Sequence, residues 1–150
     1  MKRSWITWRK LRKLVALDGG QRRLLLSAFV GLLAVDLGLR TLGFARTRRL
    51  LRRRVPSPAA RPARWEEVEA VAWAVAIAAG HHLYPMKCIT RSTLLEFLLA
   101  RRGLPGELRI GVGKEAGTFR AHAWIESMGR AVAEPENVEE RYASLVLPAP

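Results

Sequence analysis

The sequence predicts an α+β fold in which helices come first and a small antiparallel sheet follows. Apolar residues recur at helical spacing as far as about residue 102. From Leu108 the period changes to two, in short runs separated by glycine-containing turns. A length of 150 residues fits one domain, and 49% hydrophobic with 26% charged residues lies in the globular range.

Residues 1–17 mix Lys and Arg with Trp5, Ile6, Trp8, Leu11, Leu14 and Val15, the spacing of a short amphipathic helix that Asp18, Gly19 and Gly20 stop. A second helix is expected over about residues 21 to 43, closing near Gly43, which can adopt positive φ. The basic run Arg46 to Arg54 follows, and after it Pro56, Pro58 and Pro62 forbid a continuous helix and mark a linker. A third helix is expected from Arg64 to about His82, with Glu66, Glu67 and Glu69 in its first turn, where carboxylates suit the helix dipole. A fourth runs from about Cys88 to Arg102, set off by Pro85 before it and Gly103 after it. Residues 108–112, 119–126 and 131–133 form the expected meander. The resulting division is a basic, Leu-rich helical segment over 1–54, a Pro-rich linker over 55–63 and a core over 64–150.

Charge sharpens the division. Residues 1–54 carry 15 basic and 2 acidic residues, so the whole formal excess of +13 lies there. Such a segment suits an anionic or acidic partner, or a place against the core with its arginines in water. The longest apolar stretch near the start, Leu24 to Val35, falls short of the roughly 20 residues a bilayer span needs, so neither a transmembrane helix nor a secretory signal is expected and the protein reads as cytoplasmic.

Cys88 is the only cysteine, which excludes an intrachain disulfide. A free cysteine is by default a small buried hydrophobe. A thiol at a helix start, however, meets partial positive charge and unpaired N–H groups, which favour the nucleophilic thiolate and can hold an oxyanion. Of the three histidines, His81 and His82 end an apolar helix and suit capping, whereas His122 stands mid-strand on the same face as Trp124 and Glu126. Glu126 is a poor partner for His122, because residues i and i+4 of a strand are about 13 Å apart. Glu134, one hairpin later, can lie beside it. Paired ligand spacings of the zinc type are missing, so neither a metal nor another cofactor is expected.

Lys87-Cys88-Ile89-Thr90-Arg91-Ser92, Leu94-Leu95, Leu99-Ala100-Arg101-Arg102-Gly103, Leu108 to Val112, Ala121-His122-Ala123-Trp124-Ile125-Glu126 and Gly129 together resemble the lasso peptide biosynthesis B protein family, in its stand-alone leader-peptidase form. The likeness covers about residues 60–145 and is weaker in the N-terminal helices. It implies a transglutaminase- or papain-like core with a catalytic Cys at a helix N-terminus packed on a small antiparallel sheet. Cys88 would be the nucleophile, His122 the general base and acid, and Glu134 the orienting acid, with Glu136 as the alternative. The family usually has Asp at the position of Glu134. Arg91 and Trp124 are candidates for substrate contact.

The implied reaction is removal of the leader from a ribosomally made precursor. The implied partners are the leader peptide, a separate recognition-element protein and an asparagine synthetase-like cyclase, with no nucleic acid. Two other readings compete: a basic module for nucleic acid or membrane surfaces, and an amidase or acyltransferase built on the same fold.

Overall fold

The computed structural model describes residues 18–56, 62–115, 117–134 and 138–145. The helix expected over 1–17 lies outside the described residues, as do residues 57–61 of the linker.

Helix α1 spans Gly19–Thr41, and its N-cap Asp18 accepts a hydrogen bond on Oδ1 from the Gln21 N–H at 2.7 Å. Asp18 therefore opens this helix, which makes the Asp18-Gly19-Gly20 stop signal a start signal as well. Leu24, Ala28, Leu32 and Val35 fall on one face and are buried against α3 and α4. Where α1 crosses α4 the chain carries Gly31, whose added Cβ would stand 2.6 Å from a Leu94 methyl. Gly43, at φ 78°, turns the chain into helix α2, Phe44–Arg52.

Helix α2 lies within the basic, Leu-rich helical segment expected over 1–54, in a run of arginines that marks no separate helix by its pattern. Arg48 is buried and bidentate on Glu96, with Nε–Oε2 at 2.9 Å and Nη2–Oε1 at 2.6 Å, and Arg52 reaches Oε1 at 3.4 Å. A carboxylate 48 residues away thus recruits the run into a packed helix. Helices α3, Trp65–Gly80, and α4, Cys88–Ala100, complete the helical layer. One buried cluster contains residues of α1, α3, α4 and the sheet, so residues 19–52 pack on the core rather than standing apart from it.

Four antiparallel strands follow: β1 Glu107–Glu115, β2 Thr118–Ser127, β3 Arg130–Val132 and β4 Ala143–Leu145, in the order β3-β2-β1-β4. A short helix α5, Val138–Arg141, precedes β4. Neither α5 nor β4 is foreshadowed by strong periodicity, since each is only a turn or three residues long. Met128 and Gly129, at φ 52° and 73°, make the tight β2–β3 turn. Strand β3 pairs only with residues 125–127 of β2, so the half of β2 that carries His122 has no strand on that side among the described residues. Ala123 and Ile125 face the core on one side of β2, and His122 and Trp124 occupy the other.

Among the described residues α1 alone is long and apolar enough to cross a membrane, by length and composition. Its inward face belongs to the core, while Leu26, Val30, Leu33 and Leu37 are exposed.

Candidate active site

The start of α4 and one hydrogen bond decide where the thiol sits. Cys88 is the first residue of α4, half-buried, and Lys87 before it is extended at φ −64° and ψ 151° without a side-chain cap. The first-turn N–H groups of α4 are therefore not consumed by a capping side chain. One turn further on, Ser92 is buried and donates its hydroxyl to the Ala123 carbonyl at 2.8 Å. Ala123 follows His122 directly, so this bond fixes the cysteine helix to the histidine strand.

His122 stands opposite Gly111 in the β1–β2 register. Its Nε2 lies 3.1 Å from Glu134 Oε2, and both side chains are about one-fifth exposed. A carboxylate on Nε2 selects that nitrogen as the protonated one in the neutral ring and leaves Nδ1 as the acceptor. Glu134 reaches this place because Ala133 takes φ 56°, a left-handed conformation uncommon for alanine, and swings the chain back over β2. The imidazole also packs against two rings, stacked with Trp124 at 6.1 Å and 14° and tilted at 35° to Tyr142 at 5.1 Å.

Room for this ring stack comes from Gly111, where an added Cβ would lie 2.9 Å from both Trp124 Cη2 and Tyr142 Cβ. A glycine inside a strand marks such a close approach.

Cys88, Arg91, Ser92, His122, Trp124 and Glu134 line a single small cleft of about 40 Å³. A far larger cavity, about 410 Å³, lies between α2 and α4 around Arg48, Arg52, Thr93 and Glu96. It contains no thiol or imidazole, so the chemistry is located by the functional groups rather than by volume. Among the described residues no three of His, Cys, Asp and Glu form a metal-holding group.

Cys88, His122 and Glu134 are thus brought together, and Glu126 is occupied by Arg109, whose Nε donates to it at 2.8 Å. Glu136 lies outside the described residues. Arg91 is exposed at the cleft, but Trp124 is only 1% exposed, so its ring backs His122 instead of offering a surface to substrate. His81 caps the end of α3, donating from Nδ1 to the Ile77 carbonyl at 2.8 Å, and His82 stacks on Phe29 at 4.4 Å.

Ser92, Asp36 and Tyr142 also shape the site, although the sequence alone assigns them no separate role. Ser92 carried one usable signal, its position a single helical turn after Cys88. Asp36 carried another, as a charge inside an apolar helix.

Chemically, the cleft holds a thiol at a helix start and an imidazole paired with a carboxylate, residue types that acyl transfer through a thioester requires. No curated protein and no solved structure gives a significant match to this chain. A family model does: the one described as transglutaminase-like superfamily (Transglut_core3) matches residues 29–147, from within α1 to beyond β4. That span covers most of the chain, including Cys88, His122 and Glu134, and the protein belongs to the transglutaminase-like superfamily.

Proposed function

We propose that the protein is a cytoplasmic cysteine peptidase that removes the leader from a ribosomally synthesised lasso peptide precursor. The observation that carries this reading is the His122–Glu134 pair at 3.1 Å in one cleft with Cys88. The Cys88 thiolate attacks the scissile carbonyl, and the tetrahedral oxyanion is held by the N–H groups at the start of α4. His122 protonates the leaving amine, which departs as the free α-amine of the core peptide. Water, deprotonated by His122, then attacks the thioester, releasing the leader carboxylate and returning the thiol. Glu134 accepts the Nε2 proton's hydrogen bond throughout and stabilises the imidazolium.

Substrate delivery falls to a separate recognition-element protein. The exposed face of α1 formed by Leu26, Val30, Leu33 and Leu37, together with exposed Arg46, Arg49, Arg53 and Arg54 on and after α2, supports a docking place for that protein or for an acidic leader. Macrolactam closure is left to the asparagine synthetase-like cyclase.

Incubation with a precursor peptide and its recognition protein, read by mass spectrometry, tests the proposal. One hydrolytic cut between leader and core is expected, with complete loss in Cys88→Ala at unchanged melting temperature. Cutting that survives Cys88→Ala contradicts the proposal. A product carrying an added amine in place of water would move the assignment to acyl transfer by the same triad.

A further inference from the structure

A second buried carboxylate stands behind the site. Asp36 is 4% exposed, in the middle of the apolar helix α1, where an ion without partners is strongly unfavourable. Three groups meet it: Arg40 Nε donates to Oδ2 at 2.7 Å, the Tyr84 hydroxyl donates to the same oxygen at 2.8 Å, and the buried Thr90 hydroxyl reaches Oδ1 at 3.3 Å. Arg40, four residues away on the same helix, is enough to balance the charge. Tyr84 and Thr90 are 48 and 54 residues away and have a different consequence.

Those two residues bracket the thiol. Tyr84 precedes Cys88 by four positions and Thr90 follows it by two. Between α3 and α4 the chain has no regular structure, and among the described residues no backbone N–H from residues 83 to 87 donates to another backbone carbonyl. The bend that delivers Cys88 is therefore poorly held by its own main chain. Packing adds to the side-chain anchors: the Arg40 guanidinium lies over the Tyr84 ring at 5.6 Å, and His82 meets that ring edge-on at 5.9 Å.

Resting on Cys88 as the nucleophile, we propose that Asp36 is a positioning residue that ties both ends of the Tyr84–Thr90 bend to α1 and so holds the Cys88 thiol in register with His122. Ser92 sets the helix against the strand, and Asp36 sets the first turn of that helix against α1. Burial pushes the Asp36 carboxyl up, but the hydrogen bonds from Tyr84 and Arg40 outweigh it and hold the group below its usual range, so it stays an acceptor at neutral pH.

The test combines acylation of Cys88 by p-nitrophenyl acetate with amide hydrogen exchange over residues 83–91, in the full chain and its variants. Asp36→Asn is expected to slow acylation at least about tenfold and Tyr84→Phe about fivefold, in line with loss of hydrogen bonds to a charged group. Exchange over 83–91 is expected to quicken in both. Thr90→Val slows acylation and Thr90→Ser, which keeps the hydroxyl, restores it; a role confined to general stability does not produce that recovery. Tyr84→Phe retains the ring and serves if Asp36→Asn does not fold. Unchanged exchange and acylation within twofold of the parent in folded Tyr84→Phe and Thr90→Val overturn the positioning role. Parent acylation no faster than His122→Ala overturns the proposed function instead, and the exchange data still decide whether Asp36 holds the bend.

Discussion

Two ion pairs near the cysteine helix have different characters. Arg48–Glu96 ties α2 to α4 through two short hydrogen bonds, and its side chains are 7% and 9% exposed. His122–Glu134 has one contact and is about one-fifth exposed. In the first pair the Glu96 hydrogen bonds hold the Arg48 guanidinium even more firmly protonated than usual, against the opposing effect of burial. A histidine, by contrast, can gain and lose a proton near neutral pH. One helix thus carries a buried, bidentate ion pair in its second half and meets, at the cleft beside its first turn, a more open pair that contains an imidazole.

This contrast yields predictions that separate stability from chemistry. Glu96→Gln leaves Arg48 buried beside a neutral amide and is expected to lower unfolding free energy by about 3–5 kcal/mol, read by urea melts. Replacing both partners with Leu should recover much of that loss, because no uncompensated charge remains. Glu134→Gln is expected to do the reverse: catalysis falls at least about 100-fold while stability changes by less than about 1 kcal/mol. Glu134→Asp should retain part of the activity, since a carboxylate remains near the imidazole. If Glu134→Gln unfolds the protein, or Glu96→Gln silences a fully stable one, the two roles have been exchanged.

Gly111→Ala tests the platform under the imidazole. The added methyl meets Trp124 and Tyr142 at 2.9 Å, and the expected loss is about 1–3 kcal/mol in stability, with slower turnover because His122 packs against both rings. The smallest effect expected is on acid stability. The Asp36 carboxyl is depressed from its usual 3.8, so its contribution is fully present above that value and is lost as pH falls further through the folded-state value. Melting temperatures measured from pH 5 down to pH 2 should fall more steeply in the parent than in Asp36→Asn.

How much of this was legible in the sequence depended on range. Cys88 at a helix start, His122 in mid-strand and Glu134 beyond the hairpin are set by local signals: Pro85 before the helix, alternation along β2 and a glycine turn at Gly129. Helices α1, α3 and α4 and the first three strands follow from periodicity for the same reason. Helix α2 escaped because its intrinsic pattern is a run of arginines, and only a distant acid, Glu96, explains why Arg48 is buried. Asp36 escaped similarly: within α1 it looks like an interruption, and its partners Tyr84 and Thr90 are supplied by tertiary structure. Tyr142 sits between a one-turn helix and a three-residue strand, elements too short to show a period.

The central claim, that the thiol and the imidazole act as one unit, is most directly tested by the rate of Cys88 alkylation by iodoacetamide at pH 7 in the parent and in His122→Ala. A base that draws the proton from sulfur makes the parent at least about tenfold faster, with Glu134→Gln in between. Equal rates in folded parent and His122→Ala protein would contradict the account.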